Sequence, residues 1–296
     1  MYLKWVGGKT KLADQLLSKF PKEGQISGRY LEPFFGSGAM YFAYRQLLDS
    51  PENDLFGDNI FRAASYIFGD TNSHLINCHR VVQRFPADFK EWLQHFELCH
   101  EEDPDRFYKD ERKLVTKAIE LDFDSQAAAR FIYINKSCFN GIWRVNKNGD
   151  FNVPWNQVTT VNLSENKKLK QAHSLLQGCE INLCSYEDIV SRAEKGDFVY
   201  LAPPYEPLSN SSSFTAYTED DWDTEDLIHL RSLCDEMNSK GVLWMMSNST
   251  AQGVYDIFDG YAIETVQAHR FVKALKDNEK REKIAETVVT NYRGTE

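Results

Sequence analysis

The sequence predicts an α/β domain built around a largely parallel sheet, with a second, mostly helical module inserted into it. Short segments with the character of β-strands recur along the chain, and amphipathic helical patterns separate most of them. Residues 75–130 instead show helical periodicity and high charge, with few strand signals. The sheet domain is therefore expected in two pieces, residues 1–76 and 165–296, around an inserted module at 77–164.

The individual elements follow from local patterns. A short amphipathic helix is predicted within residues 10–20, because its large apolar side chains share one face before Pro21 stops it. The inserted module ends in a predicted β-hairpin at 140–156, with a two-residue turn at Asn148-Gly149. The predicted strands are the start of "RYLEPFFGSGAM", "SYIFGDTN" (65–72), "CEINLCSY" (179–186), "GDFVYLA" (196–202), "GVLWMMSN" (241–248), "YAIETVQA" (261–268) and "AETVVTNY" (285–292).

The composition is that of a globular protein with a substantial core, because 42% of the residues are hydrophobic and 26% are charged. The chain begins without the apolar core and cleavage site of a signal peptide, and no apolar run is long enough to span a bilayer. None of the six cysteines forms a CxxC pair, so no metal site is expected. These features predict a cytoplasmic protein that does not contact a membrane.

The charge is unevenly distributed. The formal net charge of −10 argues against a nucleic-acid partner. Residues 130–170, however, contain seven basic side chains against two acidic ones, a local charge of +5. Because local fields steer a polyanion more than the total charge does, this segment remains a candidate for nucleic-acid binding.

The first strand leads into the glycine turn "EPFFGSGAM", where Gly36 and Gly38 let a ligand approach the backbone closely. Asp70 ends the next strand, where a carboxylate can accept hydrogen bonds from ribose hydroxyls. The GxGxxG fingerprint is incomplete, and an insertion at 49–59 makes the separation of Glu32 and Asp70 larger than the roughly 20 residues typical of dinucleotide sites. A nucleoside-containing cofactor other than NAD is therefore expected. The alternative is a plain tight turn with Asp70 as a helix cap.

Five motifs in one order carry a resemblance to a known family. They are "LKWVGGK" (3–9), "EPFFGSG" (32–38), "FGDTN" (68–72), "FNGIWRVNKNGDFNVPW" (139–155) and "APPY" (202–205). Together they resemble DNA adenine N6-methyltransferases of the Dam type, in the alpha group of the D12 class. The resemblance spans nearly the whole chain. It implies a Rossmann-like class I methyltransferase sheet, S-adenosylmethionine as cofactor, double-stranded DNA as substrate, a monomer, and the cytoplasm of a bacterium or a phage-infected host.

The catalytic motif departs from the family at one residue. The family has Asp-Pro-Pro-Tyr where this chain has Ala202-Pro203-Pro204-Tyr205. The target nitrogen of adenine is a poor nucleophile, because its lone pair is delocalised into the ring. A carboxylate and a proline carbonyl that accept its two N–H bonds return that lone pair to the nitrogen. The prolines stiffen the backbone, and the tyrosine offers a face on which the flipped base can stack.

Ala202 has no side-chain acceptor, so the chain is expected to bind DNA and cofactor but to transfer methyl poorly. Loss of one transition-state hydrogen bond typically costs about 10²–10³ in rate. An engineered replacement of Asp by Ala is the favoured explanation, because the surrounding motifs are intact. A natural pseudoenzyme is the alternative.

The resemblance also implies residues that contact the cofactor. Trp5 and Phe34 are expected to pack on its adenosine or methionine part, and Lys9 to pair with its carboxylate. The segment "CSY" at 184–186 is expected beside its adenine ring. The full predicted set is Trp5, Lys9, Phe34, Gly36, Gly38, Asp70, Ser185, Tyr186 and Ala202.

The hairpin is expected to read DNA, with GATC as the site that the family's residues recognise. Arg144 is expected to grip a guanine in the major groove and Phe139 to insert into the base stack. Phe139 and Ile142 replace a tyrosine and a leucine of the family pattern, and both keep apolar character. The predicted base contacts are Lys4, Phe139, Asn140, Ile142, Arg144 and Pro154, while Lys136 and Lys147 are predicted to contact phosphates.

Several alternatives stay open. A catalytically silent protein that occupies GATC sites fits the hairpin equally well. A methyltransferase of protein amides could use a similar strand end, but the basic hairpin argues against it. An NAD oxidoreductase would need the full glycine fingerprint, and its chemistry does not require a Pro-Pro-Tyr strand end. The polar segment 209–222 is either a loop that closes over the flipped base or a plain connection.

Overall fold

Seven strands in the described part of the chain form one sheet, and they correspond to the seven segments predicted as strands. The structure is a computed structural model that describes residues 1–5, 9, 12–50, 60–117, 119, 123–205, 222–269 and 283–292. The loops predicted at 49–59 and 209–222 fall largely outside these residues. The strands are β1 (Tyr30–Glu32), β2 (Tyr66–Asp70), β3 (Glu180–Leu183), β4 (Phe198–Leu201), β5 (Leu243–Asn248), β6 (Ala262–His269) and β7 (Lys283–Thr290).

Ten helices accompany the sheet in the same described ranges, and a short 3₁₀ turn spans Phe139–Gly141. The helix predicted near the amino terminus is confirmed, although it is shorter than the pattern. The helices are α1 (Ala13–Leu17), α2 (Ala39–Leu48), α3 (Ser73–Arg84), α4 (Ala87–Glu102), α5 (Pro104–Arg112), α6 (Ser125–Ser137), α7 (Lys167–Leu175), α8 (Tyr186–Ser191), α9 (Thr224–Lys240) and α10 (Gln252–Ile257).

The strand order is β3-β2-β1-β4-β5-β7-β6. The first five strands are parallel, and β7 runs antiparallel between β5 and β6. The carboxyl ends of β1, β2 and β4 therefore meet at one edge. Because β7 runs the opposite way, its early residues reach the same edge, and Thr287 pairs with Asn248 at the end of β5. The predicted α/β class with a mostly parallel sheet is confirmed.

Helices cover both faces of the sheet, which explains why its central strand is apolar throughout. All four residues of β4 are buried. Phe198 and Tyr200 join the apolar cluster that includes α1 and α2. Val199 and Leu201 point the other way and join the cluster of α8, α9 and α10. This alternation is the period of two that a strand buried on both faces requires.

The inserted segment is mostly helical, and its apolar side chains continue the first of these clusters. Tyr133 of α6 and Phe198 of β4 belong to the same buried cluster. Helix α3 starts at an Asn72 cap and runs to Arg84 without a break, so a boundary after residue 76 falls inside a helix. The division into 1–76, 77–164 and 165–296 stays a prediction.

The predicted hairpin is present as two isolated bridges, Val145 with Phe151 and Cys138 with Trp155. Its turn differs from the prediction. Asn146 N–H donates to Asp150 O at 2.8 Å and Gly149 N–H donates to Asn146 O at 2.9 Å, so three residues form the loop. Gly149 alone supplies the positive φ, at 78°. The two-residue prediction was wrong because the Asn146 side chain accepts two loop amides and closes the turn one residue earlier.

No helix within the described ranges has both the length and the apolar character needed to cross a membrane.

Candidate active site

The segment after β4 leaves the sheet at its carboxyl edge, where the strand order switches from β1 to β4. Pairing with β5 ends at Leu201 and Met246, and Pro203 and Pro204 have no N–H with which to continue it. Ala202 is half-buried and packs against the apolar core. The predicted catalytic segment therefore lies in the crevice where open α/β sheets bind ligands. It lacks the acceptor that Asp supplies in the family motif.

Tyr205 is held by two buried charged side chains. Its hydroxyl donates to Glu286 Oε1 and accepts a hydrogen bond from Lys9 Nζ. Lys9 Nζ lies 3.3 Å from Glu286 Oε1, 3.2 Å from Oε2 and 4.2 Å from the centre of the Tyr205 ring. Lys9 and Glu286 are each 5% exposed. We call these three residues the Lys9–Tyr205–Glu286 triad.

Burial lowers the pKa of Lys9, and the nearby carboxylate of Glu286 opposes that shift. The sequence predicts that Lys9 pairs with a cofactor carboxylate, whereas the structure matches its charge with Glu286. The cofactor contact stays a prediction. Glu286 was missed, and the available signal was an acid within the apolar pattern of a predicted buried strand.

The glycine turn adopts the conformation that its sequence predicts. Gly36 has φ 50° and Gly38 has φ 72°, in the left-handed region that favours glycine. A Cβ atom on Gly38 would lie 2.7 Å from Cζ of Phe35. Asp70 accepts hydrogen bonds from the N–H groups of Gly36 and Asn72, each at 2.9 Å. The backbone of Thr71 also hydrogen-bonds the carboxylate, which still has acceptor capacity for a further donor. Burial raises the pKa of Asp70.

Three half-buried aromatic side chains lie beside this turn. Phe34 stacks on Tyr186 with ring centres 5.0 Å apart, and Trp222 meets both rings edge-on at 5.6 Å. The indole N–H of Trp222 is buried and has no hydrogen-bond partner among the described residues. Aromatic faces, an N–H without a partner in the described residues, a carboxylate and open glycines together fit a nucleoside. Trp222 was not predicted to belong here.

Two other predicted cofactor residues have structural partners. Trp5 stacks on Trp143 with ring centres 6.4 Å apart, and a Cβ atom on Gly36 would lie 3.3 Å from its Cδ1 atom. Trp5 thus joins the glycine turn to the inserted segment. The Ser185 hydroxyl accepts from Asp188 N–H and forms a capping box for α8. Direct contact of either residue with the cofactor stays a prediction.

Asn135 holds Lys4 against the start of the hairpin. Lys4 N–H donates to Asn135 Oδ1 at 2.9 Å, and Asn135 Nδ2 donates to Lys4 O at 2.7 Å and to Gly141 O at 3.3 Å. Asn140 and Gly141 both have positive φ, and a Cβ atom on Gly141 would lie 2.5 Å from Cβ of Lys4. The structure therefore brings Lys4 to the hairpin across a large sequence separation. Asn135 was not predicted.

The predicted base-reading side chains lie mostly on the surface. Arg144 is exposed, and its Nε donates to Asn152 Oδ1 at 2.6 Å, which fixes the guanidinium on the hairpin. Phe139 is 48% exposed, which is unusual for so large an apolar side chain. Ile142 is half-buried. The remaining exposed members of the predicted set are Lys4, Asn140, Lys147 and Pro154.

The basic charges of the segment 130–170 divide into two groups. Arg130 and Lys170 form ion pairs with Glu111 and Glu165, so they add little to the local field. Lys136 is half-buried, and its pKa is lowered first by burial and then by the like charges of Lys4 and Lys168. Among the described residues, positive charge without an ion pair lies near Lys4 and the hairpin, and it includes Lys168, one of the seven basic residues counted in the segment 130–170.

Comparison with known proteins places this site in a family. The profile described as D12 class N6 adenine-specific DNA methyltransferase matches residues 5–272. The chain is 31% identical to the type II methyltransferase M.MjaIII of Methanocaldococcus jannaschii, over 98% of each chain. It is also 31% identical to the type II methyltransferase M1.LlaDCHI of Lactococcus lactis subsp. cremoris, over 98% of this chain and 95% of that protein.

A third relative has the name that the motifs suggest. The DNA adenine methylase of Haemophilus influenzae is 26% identical over 97% of this chain and 92% of its own length. The mixed, mostly parallel sheet is consistent with the class I methyltransferase fold that the resemblance implies. The family match covers the glycine turn, the strand exit at Ala202 and the hairpin, and this chain belongs to the D12 class of N6 adenine-specific DNA methyltransferases.

Proposed function

We propose that the chain acts on adenine within duplex GATC, that the base is flipped out of the helix, and that Ala202 makes methyl transfer slow. The observation that supports this most directly is the strand exit Ala202-Pro203-Pro204-Tyr205 at the switch point of the sheet, beside the glycine turn. The rigid scaffold of the family's motif is kept, and one acceptor is absent from it.

The chain's own residues fit S-adenosylmethionine, which supplies an electrophilic methyl group when it is bound. Gly36 and Gly38 leave the backbone open to close approach. Asp70 keeps acceptor capacity for a ribose hydroxyl, and the stacked rings of Phe34 and Tyr186 offer apolar area for a purine. The buried N–H of Trp222 is one more donor for a ligand. All of these groups lie at the carboxyl edge of the sheet.

At the target base, Tyr205 supplies the stacking face and the proline segment supplies backbone carbonyls as acceptors. In the family motif, an Asp accepts the second N–H of the adenine amine. Ala202 leaves that N–H without a partner, so the lone pair of the nitrogen stays more delocalised into the adenine ring. Removing one such acceptor typically slows a reaction by about 10²–10³, and loss of a charged acceptor by more.

The site specificity rests on the hairpin and on the resemblance. Arg144 is fixed by Asn152 in an exposed position, from which a guanidinium can bind guanine O6 and N7. Lys4 is fixed next to the hairpin by Asn135, so both cations can reach one DNA site. The unpaired charge near Lys136 and Lys168 favours phosphate contacts. Several relatives over most of this chain are named DNA adenine methylase.

The test compares the chain with its Ala202→Asp variant. Both are incubated with tritiated S-adenosylmethionine and duplexes that contain GATC or a one-base variant, and binding is measured at one fixed salt concentration. We expect both proteins to bind GATC and the Asp variant to transfer methyl at least about 10²-fold faster.

A second candidate function is a silent GATC-binding protein, and the absent acceptor at Ala202 favours it. If the Asp variant binds GATC but methylates no adenine, this second function replaces the first. If neither protein prefers GATC over its one-base variants, the proposed specificity is wrong.

A further inference from the structure

Glu286 lies beyond the last residue of the family match, which ends at 272. The sheet topology places it at the carboxyl edge of the parallel strands, where the candidate active site lies. Strand β7 runs antiparallel to β5, and its residue Thr287 pairs with Asn248, the last residue of β5. Glu286 therefore lies level with the end of the parallel strands, where its carboxylate meets the segment that follows β4. A parallel seventh strand would bring its carboxyl end to this edge instead.

The carboxylate of Glu286 connects three segments that are far apart in sequence. It accepts from the hydroxyl of Tyr205 after β4, and it pairs with Lys9 near the start of the chain. Lys9 in turn donates to the Tyr205 hydroxyl and lies 4.2 Å from the centre of the ring. The Tyr205 ring is thus held at its hydroxyl end by two charges, and Lys9 lies over one of its faces. The opposite face is the one that the proposed stacking on the target base requires.

We propose that Glu286 is a positioning residue for methyl transfer, which acts by fixing the Tyr205 ring and the charge of Lys9 at the strand exit. This proposal rests on the proposed function, because it needs Tyr205 to stack on the target base. It adds a carboxylate from β7 to a site that otherwise consists of the N-terminal segment and the ends of β1, β2 and β4.

Energetics favour a role in positioning over one in stability alone. Taking two charges out of water is costly, and buried ion pairs are often no more stabilising than apolar side chains of the same volume. Here Lys9 and Glu286 are both 5% exposed, and Glu286 Oε2 has the ion pair with Lys9 but no hydrogen-bond donor in the described residues. An ion pair whose desolvation costs free energy is expected at the active site where it holds a side chain in one orientation.

One substitution removes the charge of Glu286 and keeps the shape of its side chain. Glu286→Gln keeps an acceptor for the Tyr205 hydroxyl but removes the charge that balances Lys9. A matched control is available at the opposite edge of the sheet. Asp197 is 3% exposed and pairs with Arg29 at 2.6 Å before the first residue of β4. Asp197→Asn removes the charge of another buried carboxylate, whose partner Arg29 is half-buried, far from the strand exit.

The variants are made in the Ala202→Asp protein, and the substrate is a set of duplexes that presents adenine in every sequence context, so that the readout does not depend on GATC. We expect Glu286→Gln to lower kcat about 10- to 100-fold, with KM for S-adenosylmethionine and the affinity for DNA unchanged. Asp197→Asn should lower the unfolding temperature and leave kcat unchanged.

A double-mutant cycle tests whether Glu286 acts through Tyr205. If it does, Glu286→Gln should change kcat much less in a Tyr205→Phe background, because the hydroxyl that it holds is already absent. An equal kcat for the Glu286→Gln variant and its parent would overturn the positioning role and leave the proposed function intact. A parent that folds and binds DNA but methylates no context would overturn both proposals together.

Discussion

Asp70 and Gly36 are joined by a 2.9 Å hydrogen bond from the backbone N–H of the glycine to the carboxylate, which ties the ends of β1 and β2 together across the candidate cofactor site. The second carboxylate oxygen accepts from Asn72 N–H at the same distance. The acid therefore shapes the glycine turn before any ligand is bound, and the carboxylate keeps acceptor capacity for a ligand.

Replacing this acid should weaken cofactor binding. In Asp70→Asn, the amide NH₂ must face either the Gly36 or the Asn72 donor, so one buried N–H loses its acceptor at a cost of about 1–3 kcal/mol. We expect the affinity for S-adenosylmethionine, measured by calorimetric titration, to fall about tenfold or more. Asp103→Asn is the control, because it makes the same substitution at the N-cap of α5, where Asn caps a helix as well as Asp does. It should leave the affinity for S-adenosylmethionine unchanged. Unchanged affinity in Asp70→Asn would contradict the role of this carboxylate.

Asn135 should matter for DNA binding, because it fixes the backbone of Lys4. Asn135→Ala removes the two partly buried hydrogen bonds to the backbone of Lys4, which should cost about 2 kcal/mol of unfolding free energy. We also expect weaker discrimination at the first base of the site, measured by competition between duplexes at fixed salt.

Asn77 provides a closely matched control for that experiment. Its side chain makes the same two-point contact with a backbone, to the N–H and the carbonyl of Asp124, each at 2.9 Å. Asn77→Ala should lose a similar free energy of unfolding and keep its base discrimination. If both variants lose discrimination equally, the effect is one of general destabilisation and Lys4 is not specifically positioned.

Arg144 and Lys147 should have different effects on DNA binding. Arg144 is fixed by Asn152 and is expected to read a base, whereas Lys147 lies in the exposed turn and is expected to meet a phosphate. Arg144→Ala should lower the preference for GATC over a variant at the guanine by about 1–3 kcal/mol. Lys147→Ala should weaken binding to all duplexes alike and reduce the salt dependence by about one ion. The measurement is a salt titration on both duplexes, and the reverse pattern would exchange the two roles.

The sheet could be predicted from the sequence because its signals are local. Strand segments such as "FVYL" and the turn at Gly36 and Gly38 depend on residues within a few positions of each other. The strand exit at Ala202 is local in the same sense, so its place at the sheet edge followed once the strand was identified.

The remaining features depend on contacts between distant segments. Glu286 joins the site only because β7 runs antiparallel beside β5, and no local pattern in "AETVVTNY" specifies that direction. Asn135 is a buried polar residue in an apolar helix, but its partner Lys4 lies far away in the sequence. The hairpin turn was missed for a smaller reason, since the side chain of Asn146 competed with the Asn-Gly signal.

Glu32 ends β1 next to the glycine turn and has a buried carboxyl group. It is 2% exposed, and its Oε2 accepts a hydrogen bond from the Tyr30 hydroxyl at 2.8 Å. Burial raises its pKa from 4.5 to about 8, and the Tyr30 hydrogen bond opposes that shift. The folded protein therefore holds this carboxyl group protonated at neutral pH, whereas the unfolded chain ionises it.

The pH dependence of stability should reveal this group. Below pH 4.5 the acid is protonated in both states, and as pH rises from 4.5 to about 8 the unfolded state alone loses the proton, so stability is lost. Glu32→Gln stays neutral, so its unfolding free energy relative to the unaltered chain should increase by about 4 kcal/mol across that range and then level off. Urea unfolding of both proteins from pH 5 to 8.5 measures the difference, in which the other titrating groups cancel.

Tyr30→Phe should move the pH range in which stability is lost to higher pH, because it removes the hydrogen bond that lowers the pKa of Glu32. A difference that stays constant with pH would mean that Glu32 is ionised in the folded protein.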